Sequence, residues 1–167
     1  TQNFFLENVL YLTDIKNEIV CYLTSERNDS IFSMAESREN LKVFYVGEGS
    51  LRTILFINLK ADLFISTMPG LEAYFFLKRS QIYPVHYLYI FHAMVSTHTI
   101  YMKSAFDNYD TIFCTGPHQI SEIRKTEKLY NLRKKNLYKD GYRPLEFIID
   151  QEKNNGNSLI NKSKKII

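Results

Sequence analysis

Six short apolar runs, set apart by spacers long enough to hold a helix, limit this chain more than any other feature of its sequence. They are EIVCYLT at 18–24, KVFYV at 42–46, ADLFIS at 61–66, HYLYIF at 86–91, TIFCT at 111–115 and, more weakly, KNLYK at 135–139. None alternates strictly between polar and apolar residues, the pattern of strands covered on both faces. LRTILFINL after Gly49-Ser50, and ISEIRKTEKLYNL after Gly116-Pro117, carry apolar residues at three-to-four spacing, and Pro117 stands where a helix would start. Strand and helix therefore alternate. Connections of this length imply parallel strands joined by right-handed crossovers, and the expected fold is α/β with a doubly wound, mostly parallel, Rossmann-like sheet. Phe5, Leu6, Val9, Leu10 and Leu12 are spaced for an amphipathic opening helix packed on that sheet.

At 167 residues the chain fits one domain with a real core, and 45% hydrophobic residues with four prolines and six glycines exclude a disordered chain. No apolar run reaches the ~20 residues of a membrane span, and no basic leader precedes an apolar stretch at the start, so a cytoplasmic protein is expected. Cys21 and Cys114 lie in strand-like runs with no partner at metal spacing and are expected to be free, buried thiols. A net charge of +3 gives no reason to expect a nucleic acid partner. Arg124–Lys139 carries seven basic residues against the single acid Glu127, which suits either a solvated helix end or an anionic polymer or membrane surface. The polar, lysine-rich stretch from 151 to 167 reads as a linker leading out of a domain that spans 1–150.

In an open parallel sheet, ligands bind beyond the carboxyl ends of the strands. The residues placed there are Gly47 with Gly49, Pro69 with Gly70, the segment from His92 through Ser96 to His98, and Gly116 with His118. Three of these are glycine or Pro-Gly turns able to present helix N-terminal amides to an anion, and together they would form one polar rim. His92 is singled out as a general base, because it directly follows a strand and histidine titrates near neutral pH. Ser96, His98 and His118 are lesser rim candidates, and His86, at the opposite strand end, is expected to be structural. No complete dinucleotide fingerprint, phosphate-loop Gly-Lys-Ser/Thr or Gly-x-Ser-x-Gly is present, and the histidines are not spaced as a zinc set. No metal or cofactor is expected.

ADLFISTMPGLE, YIFHAMVSTH, FDNYDTIFCTGPHQISEIRK and KDGYRPLEFII resemble, in order and spacing, the CDP-glycerol glycerophosphotransferase family of teichoic-acid and capsule-type polymer synthesis. The likeness covers about residues 61–150. Family members resemble GT-B glycosyltransferases, in which two Rossmann-like domains face each other across a cleft. The resemblance implies that 1–150 is the acceptor-side domain and that 151–167 leads to a donor-binding domain. The implied partners are CDP-glycerol or a related CDP-polyol, held mainly by that second domain, and a polymer or glycan acceptor, with attachment at the inner face of the cell membrane an open possibility. The family's His-Gly pair, which supplies the proposed base, falls on His92, with Ala93 replacing the glycine. The family turn of the form Gly-Tyr-Pro-Arg-x-Asp appears as Gly141-Tyr142-Arg143-Pro144-Leu145-Glu146, with Pro and Arg exchanged and an acid kept. Thr115-Gly116-Pro117 matches a Ser-Gly-Pro type turn. A GT-B glycosyltransferase using a sugar nucleotide and a non-catalytic polymer-binding module remain the alternatives.

Overall fold

The structure, a computed structural model, describes residues 12–15, 18–73 and 77–154. Most of the expected opening helix and most of the 151–167 linker lie outside the described residues. Strands β1 (Val20–Thr24), β2 (Leu41–Tyr45), β3 (Leu63–Ser66), β4 (His86–Ile90), β5 (Thr111–Cys114) and β6 (Asn136–Lys139) fall on the six apolar runs. Helix α1 (Ile31–Ala35) joins β1 to β2, α2 (Ser50–Ile57) joins β2 to β3, α3 (Pro117–Leu129) joins β5 to β6, and α4 (Arg143–Asn154) follows β6. The fold is α/β with a Rossmann-like parallel sheet flanked by helices.

The strands divide into two sheets, β1-β2 and β3-β4-β5-β6, each wholly parallel. In the larger sheet Phe64 lies beside Tyr87 and Tyr89 beside Ile112. Side chains alternate along a strand, so these residues share one face, here called the inner face. The crossovers from β3 to β4 and from β4 to β5 contain turns but no α-helix among the described residues, which departs from strict strand–helix alternation. Their apolar residues, Leu71, Leu77, Phe106 and Tyr109, nevertheless pack on the inner face with Phe56 of α2 and Ile123 of α3. Tyr89 is fully buried at the centre of this core, its ring 4.9 Å from Phe91, 5.0 Å from Phe106 and 5.2 Å from Tyr109. Such edge-to-face pairs contribute roughly 0.5–1.5 kcal/mol each beyond the area they bury.

An ionic knot pins the amino-terminal edge of the sheet. Asp110 accepts the Tyr87 N–H at 2.8 Å and Arg79 Nη2 at 3.2 Å, pairs with Arg133, and Arg79 lies over the Tyr87 ring. Burial pushes the Asp110 carboxyl upward, but the Tyr87 amide and the two arginines outweigh it and hold the pKa below the usual carboxylate value. At the same edge His86 Nε2 lies 2.8 Å from Thr111 Oγ1, the structural place expected for it. Among the described residues no helix is long and apolar enough to cross a membrane.

The cysteines part company. Both are free, and burial pushes Cys114 up to about 12 against the opposing charge of Arg124. Cys21 is exposed, against expectation, on β1 of the two-stranded sheet, which lies outside the four-stranded sheet that buries Cys114.

Candidate functional site

All four strands of the larger sheet are parallel, so their carboxyl ends share one edge, and the segments after β3, β4, β5 and β6 meet there. The first is fixed from behind. Gly70, at φ 83°, donates its N–H to the Ala105 carbonyl at 2.7 Å, and the Tyr109 hydroxyl donates to the Met68 carbonyl at 2.5 Å. Pro69 sits within this anchored turn. A left-handed φ suits glycine, but no helix starts here: Leu71–Ala73 is a turn. The expected helix N-terminus at Gly70 is therefore absent from the described residues, because the chain bends back to bury Leu71.

The segment after β4 is held by α3. Gln119, wholly buried, accepts the Thr115 N–H at 2.8 Å and donates Nε2 to the carbonyls of Val95, at 3.0 Å, and Ala93, at 3.4 Å. One turn further on, Glu122 accepts Ser96 Oγ at 2.9 Å, the Thr97 N–H at 2.7 Å and Thr97 Oγ1 at 2.8 Å. Partial burial pushes Glu122 upward; the bonds from Thr97 and Ser96, with the charge of His98, prevail and lower its pKa. Ser96 is thus a strut, whose hydroxyl also receives the His98 N–H at 3.2 Å.

His92 stands at the head of this fixed loop, exposed, and its imidazole makes no hydrogen bond or ion pair among the described residues. Its carbonyl accepts the Tyr142 hydroxyl at 3.2 Å, which ties the Gly141-Tyr142 turn to the end of β4. Gly141 has φ 91°, and a Cβ there would meet Glu146 Oε1 at 2.5 Å. The carboxylate could swing aside, so the left-handed backbone is the stronger reason for glycine. The acid of that turn thus lies against its glycine, in the first turn of α4.

Gly116 precedes α3 in an extended conformation that any residue can adopt, and the His118 ring packs against its Cα. His118 and His98 are both exposed, on the helix end and the loop that border the β4 terminus. Gly47, at φ 58°, follows β2 in the two-stranded sheet. No hydrogen bond among the described residues joins its turn to the other three. The rim thus gathers three of the four expected strand ends and adds the turn after β6.

Gln119 and Glu122, which position the His92 loop, were not among the sequence candidates. One signal was present: Gln119, Ile123 and Glu127 form the buried stripe of α3 at i, i+4 and i+8, and two of the three are polar. A polar residue on a core-facing stripe needs an internal partner. Among the described residues no group of three or more His, Cys, Asp or Glu side chains is placed to hold a metal ion. Comparison with protein-family models, with curated proteins and with solved structures finds no match to this chain.

Proposed function

We propose that the chain is the acceptor-side domain of a transferase that moves glycerol phosphate, or a related polyol phosphate, from a CDP-linked donor to a hydroxyl of a cell-surface polymer or glycan. The observation that carries this reading is His92, exposed at the carboxyl end of β4 on a loop fixed by Gln119 and Glu122, with its imidazole unengaged among the described residues. It is supported by the meeting of the motif segments behind the family resemblance, since Tyr142 of GYRPLE bonds the His92 carbonyl and Gln119 of CTGPHQISE bonds the loop of YIFHAMVSTH.

In this reaction the acceptor oxygen attacks the β-phosphorus of the donor while His92 takes the hydroxyl proton. The new P–O bond forms as the bond to the bridging oxygen breaks, and CMP departs with the bonding electron pair. The amino-terminal end of α3 beyond Gly116-Pro117 favours the developing negative charge. The binding-module alternative draws on the basic 124–139 stretch, yet Arg124 is turned onto Glu127 and Arg133 onto Asp110.

The test is CMP release from CDP-glycerol by the full-length protein, with a polymer or glycan acceptor, comparing the native enzyme with His92→Ala. Loss of a general base lowers turnover by roughly 10²–10⁴-fold with little change in acceptor binding. Retained turnover in the variant would remove His92 from the role, and absence of CMP release from the native enzyme would remove the donor assignment.

A further inference from the structure

The β4–β5 crossover and α3 enclose a cleft of about 320 Å³, which meets the strand-end rim only at Thr97 and His98. That volume falls within the range of small-molecule sites. Its walls are largely apolar, with Tyr101, Phe106, Ile123 and Tyr130 along them. Ser104 on the same wall holds a left-handed φ of 67°, a strained conformation for serine of the kind found at binding sites.

Lys135, only 3% exposed, also lines this cleft. Its ammonium has three N–H donors, and among the described residues it makes one long hydrogen bond, to the Arg133 carbonyl at 3.4 Å. Glu127 Oε1 stands 3.9 Å from Nζ, an ion-pair distance too long for a hydrogen bond. That carboxylate is already served by Arg124 Nη1 at 2.6 Å and by the Lys135 main-chain N–H at 2.8 Å. Burial holds the Lys135 ammonium below its usual pKa, with Glu127 and Asp107 opposing, as befits a cation short of partners. Lys103 and Lys125 also line the cleft, against Asp107 and a Glu127 that Arg124 neutralises. The cleft therefore offers apolar walls, unspent buried N–H donors and a surplus of positive charge.

We propose that this cleft binds a small organic anion with an aromatic or apolar body, its carboxylate or phosphate accepting from Lys135 Nζ while the body lies against Tyr101, Phe106 and Tyr130. The occupant is independent of the transferase reading and needs neither His92 nor a nucleotide. Lys103, whose ammonium lies 4.3 Å above the Tyr130 ring, stands beside the aromatic wall and adds to the attraction for an anion.

Calorimetric titration of the purified protein with benzoate, phenyl phosphate, inorganic phosphate and the neutral benzyl alcohol tests the proposal. At least one aryl anion binds saturably, and benzoate against phenyl phosphate tells which anionic group the cleft prefers. Inorganic phosphate and benzyl alcohol each bind at least about tenfold more weakly than the better aryl anion, since each lacks one half of the recognition. Lys135→Met weakens the aryl anion by about tenfold or more, and Tyr130→Ala, which leaves the charge cluster whole, weakens it while sparing inorganic phosphate. Absence of saturable binding by both aryl anions overturns the proposal. So does equal binding of benzyl alcohol, a comparison on the native protein that does not depend on how the variants fold.

Discussion

The two faces of the four-stranded sheet are built from similar residues and have different fates. The inner face carries Phe64, Tyr87, Tyr89 and Ile112, all part of or packed on the core cluster. The outer face carries Leu63, Ile65, Leu88, Phe113 and Tyr138, none of which belongs to that cluster. Leu88, on a central strand, is buried, yet Leu63 is 46%, Ile65 37% and Tyr138 57% exposed. The cause is topological. The strands lie in chain order, so three successive right-handed crossovers all pass over the same side. Apolar strand composition predicts two covered faces, whereas the order of the strands decides which face these crossovers cover.

The strongest way to break this comparison is to empty the inner face. Tyr89→Ala is expected to cost about 4 kcal/mol, measured by denaturant unfolding, because a ring in contact with three others leaves a cavity they cannot fill. Next comes the knot at the sheet edge. Asp110→Ala is expected to cost about 3 kcal/mol, since it leaves the Tyr87 amide without its acceptor and removes the carboxylate that Arg79 and Arg133 share. The Asp110 pKa is lower folded than unfolded, so its stabilisation is present above the unfolded value of about 4 and is lost as pH falls through the folded value. Stability should decline below about pH 4 in the native chain, and the Asp110→Ala chain should show a shallower decline in the same melts.

The smallest effect is expected on the outer face, where Ile65→Ala should change stability by less than about 1 kcal/mol. A loss as large as that of Tyr89→Ala would mean that Ile65 is covered as thoroughly as the core, and the contrast between the faces would fall.

Each of the six strands was legible in its apolar run, and α2 and α3 in their three-to-four spacing and the Gly-Ser and Gly-Pro starts. These signals are local: a strand's burial and a helix's period are written in consecutive residues. The place of His92 at a strand end was legible for the same reason. The Gly70 turn misled, because Pro-Gly signals a bend and does not tell whether a helix or a folded-back loop follows.

The sequence by itself determined an α/β chain of parallel strands and the edge on which His92, His98 and His118 lie, since both follow from apolar period and from the fixed direction of the strands. Only the tertiary structure decided that the strands split into two sheets, that one face carries the core, and that Gln119 and Lys135 turn inward. Those outcomes depend on contacts between residues far apart in the chain, such as Gln119 with Val95 and Arg79 with Asp110, and no run of neighbouring residues encodes them.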